Sequence, residues 1–189
     1  EARFLRALNY YYLLDEFGNV PFTTAISSSK PNRIERADLY KWLVDELKTN
    51  VEPKLSEPQP KTSATAGYGR VDKAAAWMLL ARLYMNAEVY TGTADWANAK
   101  LYAKKVIDSP YKLYTTKKGQ WSAYQQLFMG DNGESGASVE AIFPILQDGK
   151  TTTSYGTTLY LMAGSNDNSE HIKDATTKGN NTTAGWAGN

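Results

Sequence analysis

Apolar residues recur at helical spacing from the start of the chain. Leu5, Leu8 and Tyr12 form one stripe. Phe4, Ala7, Tyr11 and Leu14 form another beside it, and Arg3, Arg6 and Asn9 mark a narrow polar face. This predicts a helix over 1–17. Gly18 suits a left-handed C-terminal residue, and Pro21 prevents continuation. A second helix is expected over 36–50, with Leu39, Trp42, Leu43 and Leu47 apolar, ending before Pro53. Pro53, Pro58, Pro60, Gly67 and Gly69 sit among polar residues, so 53–69 reads as an ordered loop or linker. A third helix over 72–88, with Asp72 as its N-cap, is apolar nearly all round. Such a helix is packed by neighbours on several sides. The Thr91-Gly92-Thr93 turn leads to a fourth helix over 94–108, ended by Ser109-Pro110. From residue 111 glycines recur and apolar runs shorten. Ala141-Ile142-Phe143-Pro144-Ile145 reads as extended, and 115–189 as loops, short helices and room for a strand pair. No capping residue precedes Glu1 and no closing element follows Thr183. The expectation is one domain over 1–189, a fragment of a longer protein, with a helical scaffold at 1–114 and a loop-rich ligand-binding part at 115–189.

Tyr10, Tyr11 and Tyr12 stand in a row, which raises the question of a stacking platform. Successive helical residues point about 100° apart, so three tyrosines fan over roughly 200° and cannot make one flat surface. Tyr11 and Tyr12 are expected in core packing, and Tyr10 is left open. The third helix carries Trp77, Leu80, Ala81 and Tyr84, the W-x2-L-x-x2-Y spacing of a tetratricopeptide helix with Ala in place of Gly. The next helix supplies Ala99, Ala103, Val106 and Pro110. Phe4, Ala7, Leu8 and Tyr11 occupy the same positions more loosely. The fold class expected is mainly α: tetratricopeptide-like helix pairs with a loop-rich, irregular C-terminal part.

Charge and composition exclude more than they assign. The net charge is +1, from 21 basic and 20 acidic residues, with no basic stripe, which argues against nucleic acid. No run approaches the roughly 18 apolar residues of a membrane helix, and no secretory signal pattern opens the chain. Cysteine is absent, which removes disulfides, thiol catalysis and zinc-thiolate sites. His171 is the one histidine, reads as a surface residue, and has no G-x-S-x-G elbow to serve. Asp15 and Glu16 lie at a helix C-terminus, where the macrodipole disfavours them, so a local contact is the reason to keep them. Gly67-Tyr68-Gly69-Arg70 lacks the glycine and lysine of a phosphate loop. The N-x-T triplets in Asn180-Asn181-Thr182-Thr183 are explained by composition. Asp131-Asn132-Gly133-Glu134 offers oxygen ligands on a turn, compatible with calcium or with a plain Asx turn. Binding, not catalysis, is the reading that remains.

Three stretches then carry a resemblance: EARFLRALNYYYLLDEFGNVPFTT, Leu39–Leu47, and GYGRVDKAAAWMLLARLYMNAEVYTG. They resemble the SusD/RagB family of outer-membrane nutrient-binding lipoproteins, across nearly the whole chain. GRVDKAAAWMLLARLY, Leu127–Asn132 and Ile142–Ile145 look closest to its starch-binding branch. The resemblance implies a non-enzymatic protein on the extracellular face of the outer membrane. It would be held by a lipid on a cysteine outside this fragment, and would pass oligosaccharide to a TonB-dependent, SusC-like transporter faced by the helical scaffold. It implies no required cofactor, and a weak match of Asp131 to a calcium-contact region. Tyr155, in Thr153–Thr158, looks like the tyrosine of the family's glucan-binding aromatic arc, and Trp186 like its tryptophan. The polar stretch between them, 166–183, is longer than the family pattern. Both sit in Gly- and Thr-rich segments, where an aromatic face can cover the C–H face of a pyranose; local packing stays open beside sugar contact. The alternative is a helical-repeat adaptor whose groove binds a protein or peptide.

Overall fold

Helix α1 spans Ala2–Phe17 and buries Phe4, Ala7, Tyr11 and Leu14. This is the second of the two predicted stripes. In the computed structural model the described residues are 1–26 and 28–146, and Glu1–Ile145 forms one unit. The neighbouring stripe lies at the edge of the core: Leu8 packs against it, but Leu5 is exposed and Tyr12 is 50% exposed. Core packing expected for Tyr12 is therefore corrected. The helix presses one face onto the elements that follow, and Tyr12, 100° round from Tyr11, points past them. Gly18 ends α1 at φ 71°, its N–H bonded to the Leu14 carbonyl at 3.0 Å.

The chain then makes a small ribbon that the apolar pattern did not announce. Strands β1 (Val20–Pro21) and β2 (Arg33–Ile34) pair antiparallel, Val20 opposite Ile34 and Pro21 opposite Arg33. Pro21 is tolerated because a two-stranded ribbon has free edges. Helix α2 spans Arg36–Asp45. It continues as a π-helical turn at Glu46–Val51 and a 3₁₀ turn at Glu52–Lys54, in place of the uniform helix expected over 36–50. Pro53 has no N–H to give the carbonyl four residues back, so the regular ladder cannot run through it.

Helix α3, Lys73–Met85, starts where the sequence placed its cap: the Asp72 carboxylate accepts from the Ala74 N–H at 3.0 Å. It stops earlier than the predicted Glu88. The backbone departs from helical geometry at Asn86, and a short helix α4, Ala87–Thr91, follows, closed by Gly92 at φ 81°. Helix α5, Trp96–Ile107, is capped by Asp95, which accepts from the Asn98 N–H at 3.1 Å. α3 and α5 form the expected helix pair. Tyr84 and Tyr102 stack across it at 5.6 Å and 14°, and Leu80, Ala81 and Ala99 are buried in the same core. Trp77 lies at its margin, donating to Glu52 at 2.7 Å.

Beyond α5 the described chain is irregular, as expected. It holds a turn at Lys118–Trp121, a single-turn helix α6 (Ala123–Gln126) and a 3₁₀ turn (Ala137–Glu140). Residues 141–145 pair with no strand among the described residues. Ile142 and Phe143 pack back on the core instead, Phe143 meeting Phe4 edge-on at 5.7 Å. The architecture of the described residues is mainly α.

Candidate functional site

The tyrosine triplet separates into three environments. Tyr11 is in the core. Tyr12 is exposed, its ring 5.6 Å from that of Tyr11. The Tyr10 hydroxyl donates to the Thr23 carbonyl at 2.8 Å and accepts from the Thr23 N–H at 2.9 Å. Its ring packs with Phe22 and Trp42 at 5.0 and 5.5 Å. Tyr10 thus pins the segment after β1 onto α1. Asp15 accepts a 2.5 Å hydrogen bond from the Tyr90 hydroxyl on α4, the local contact that keeps an acid at this helix end. Burial first, then that bond, pushes the Tyr90 phenol well above its ordinary range.

Asp72 organises the loop expected over 53–69. It is fully buried. Besides capping α3 it accepts from the Gln59 N–H at 3.1 Å, the Lys61 ammonium at 3.1 Å and the Tyr111 hydroxyl at 2.7 Å. Ser138 then donates to the Lys61 carbonyl at 3.2 Å, and the Ser63 N–H to the Gly133 carbonyl at 3.2 Å. The 53–69 loop is therefore a bracket that holds the 133–138 segment against the helical scaffold.

Of the three residues singled out from sequence, Tyr155 and Trp186 lie outside the described residues. Asp131 lies on the turn anchored by this bracket. Its carbonyl accepts from the Ser135 N–H at 2.8 Å, and Asn132 Nδ2 donates to the Leu127 carbonyl at 2.8 Å. Its carboxylate is exposed and has no partner among the described residues. No group of three or more acidic or imidazole side chains converges there, or anywhere among the described residues, in a manner that would hold a metal.

Asp131 lines a depression of about 420 Å³ with Lys118, Gln120, Trp121, Gln126 and Ser135. Trp121, which the sequence reading passed over, is 43% exposed. Two local signals mark it: Gly119 two residues before it, and Ser122 and Gln125 after it, spaced as a capping box. An exposed indole beside a free carboxylate, an amide and an ammonium has the makings of a polar-ligand contact.

No protein-family model matches the chain. The chain is similar to the starch-binding protein SusD of Bacteroides thetaiotaomicron, 47% identical over 165 residues, 87% of this chain. It spans 28% of the length of that relative. Among solved structures it is similar to surface glycan-binding protein A from Bacteroides uniformis. The TM-score is 0.47 with 30% identity, over 62% of this chain and 25% of that one. Among the described residues no helix is long and apolar enough to cross a membrane. With nearly half of its residues identical to SusD over almost nine-tenths of its length, the chain belongs to the SusD family.

Proposed function

We propose that this chain is part of a cell-surface glycan-binding protein that takes starch or maltooligosaccharides and delivers them to a TonB-dependent, SusC-like transporter. The observation that carries this reading is the 47% identity to a protein named for starch binding. On this reading the protein sits on the extracellular face of the outer membrane, lipid-anchored, and catalyses no reaction. The helical unit serves as scaffold. Tyr155 and Trp186 supply apolar faces for glucose rings, with neighbouring polar groups fixing orientation.

Isothermal titration of the full chain with maltoheptaose tests it, with retardation in a starch-containing native gel as a second readout. Saturable binding is expected. Tyr155→Ala and Trp186→Ala should each weaken it by up to a few kcal/mol, at about 1.4 kcal/mol per tenfold, with unchanged melting temperature. A wild-type chain that neither binds maltoheptaose nor is slowed by starch overturns the starch reading. Variants that lose binding only by unfolding overturn the two assignments.

A further inference from the structure

We infer that the depression around Trp121 is a second sugar-binding site, separate in sequence from Tyr155 and Trp186, that takes a short pyranose segment of the glycan. The inference rests on the glycan-binding reading above and adds to it a location and a set of residues.

Trp121 is held for presentation. The Lys118 N–H donates to the Trp121 carbonyl at 3.1 Å, and the Trp121 N–H to the Lys118 carbonyl at 3.0 Å. Between them Gly119 has φ 57° and Gln120 a negative φ, the pattern of a type II′ turn, which needs glycine at its first central position. Immediately after Trp121 the Ser122 hydroxyl accepts from the Gln125 N–H at 3.2 Å. Gln125 Oε1 accepts from the Ser122 N–H at 2.9 Å, and the reciprocal capping box is complete. The backbone on both sides of the indole is therefore fixed, while the ring stays 43% exposed. An exposed tryptophan on a rigid backbone loses little conformational freedom on binding.

The rest of the depression has the matching chemistry. Its floor is Gln126, 1% exposed, with Nε2 committed to the Thr116 carbonyl at 2.8 Å. That side chain keeps the cavity shaped without offering itself. The groups free to bind are the Asp131 carboxylate, Lys118 and Gln120, all exposed and unpaired among the described residues. A pyranose presents an apolar C–H face and a rim of hydroxyls. The indole covers the first, and an acceptor, an amide and a donor meet the second. The volume, about 420 Å³, sits low in the range of ligand pockets, roughly 300–1,000 Å³, so it accommodates a short stretch and not a long one.

Two sites on one protein hold a polymer more tightly than either holds a short ligand, because engaging the second becomes intramolecular. Trp121→Ala, Asp131→Asn and Tyr155→Ala/Trp186→Ala variants of the full chain are compared by titration with maltoheptaose and by retardation in amylopectin gels, with melting temperatures as controls. Trp121→Ala and Asp131→Asn are expected to lower amylopectin retention at least about tenfold. They should also remove one class of maltoheptaose sites and leave the melting temperature unchanged. The Tyr155→Ala/Trp186→Ala variant should retain the Trp121 class. If Trp121→Ala alters folding, Asp131→Asn, at an exposed unpaired carboxylate, decides. Wild-type behaviour of Asp131→Asn in retention and stoichiometry, or a Tyr155→Ala/Trp186→Ala variant with no sites left, overturns this second site while the glycan reading stands. A wild-type chain that binds neither ligand overturns both.

Discussion

Replacing Asp72 by alanine is expected to destabilise the helical unit by about 4 kcal/mol. Three losses combine at this fully buried carboxylate. The cap on α3 goes with the Ala74 hydrogen bond at 3.0 Å, worth about 1 kcal/mol. The Gln59 N–H and Tyr111 hydroxyl lose their acceptor, though Tyr111 keeps the Gln59 carbonyl at 2.9 Å. The largest loss is at Lys61, whose ammonium would stay behind in a site where its side chain is 11% exposed. Breaking a buried ion pair by removing one partner costs about 3–5 kcal/mol. The sum is trimmed because Lys61 also reaches the Arg70 carbonyl at 3.5 Å. Urea unfolding followed by circular dichroism measures the change as a shift in midpoint at constant slope. The stranded charge has its own signature. In Asp72→Ala/Lys61→Met the lysine is no longer buried alone, so the double variant should be more stable than additivity predicts by about 1 kcal/mol or more. An Asp72→Ala variant within about 1 kcal/mol of wild type, or strict additivity with Lys61→Met, would refute the account of Asp72 as the hub of the bracket.

Two further expectations concern the tyrosines. Tyr11→Ala should cost about 3 kcal/mol as a buried aromatic truncation, while Tyr12→Ala, at a 50% exposed position, should cost under about 1 kcal/mol; thermal or urea unfolding of the pair separates them. Alkaline titration should lower stability in a defined window. Burial, and secondarily the neighbouring Tyr84, pushes the Tyr40 phenol up to about 12, and burial with Glu52 does the same for Tyr102. Tyr11, Tyr84, Tyr90 and Tyr111 are raised too, with burial the first cause in each. A raised native value means the folded chain keeps protons that the unfolded chain releases. Their contribution is intact below about pH 10 and is lost as pH rises towards about 12. Urea midpoints that stay level across that window would contradict it.

Much of the scaffold was legible because its determinants are local. The 3–4 spacing in α1, the Asp72 cap and the Gly92 turn each depend on residues within one or two helical turns, and each appears where the pattern put it. The Trp77–Tyr84 motif identified a helix that pairs with its successor, and the Tyr84–Tyr102 stack joins that pair. The misplacements within α1 share one cause. Leu5 and Tyr12 are as apolar as Phe4 and Tyr11, but covering requires a neighbour, and the sequence of one helix does not say on which side neighbours lie. The helix expected to reach Glu88 breaks at Asn86, a residue type that favours helix C-termini, a local signal that the apolar pattern running past it masked. For the candidate sites, Tyr155 and Trp186, which lie outside the described residues, rest on family resemblance alone, and Trp121 was overlooked because a single aromatic in a polar loop carries no periodicity.

Periodicity and capping were enough to indicate a mainly helical, repeat-like scaffold, since each is a property of neighbouring residues. The long-range pairings were beyond their reach. Asp15 meets Tyr90 across 75 positions and Asp72 meets Tyr111 across 39, and the 53–69 loop becomes a bracket only when Lys61 and Ser63 reach residues 138 and 133. Such contacts depend on which faces the assembled helices leave open. That arrangement is what commits Tyr11 to the core and Tyr12 to the surface, and leaves Trp121 and Asp131 beside one depression.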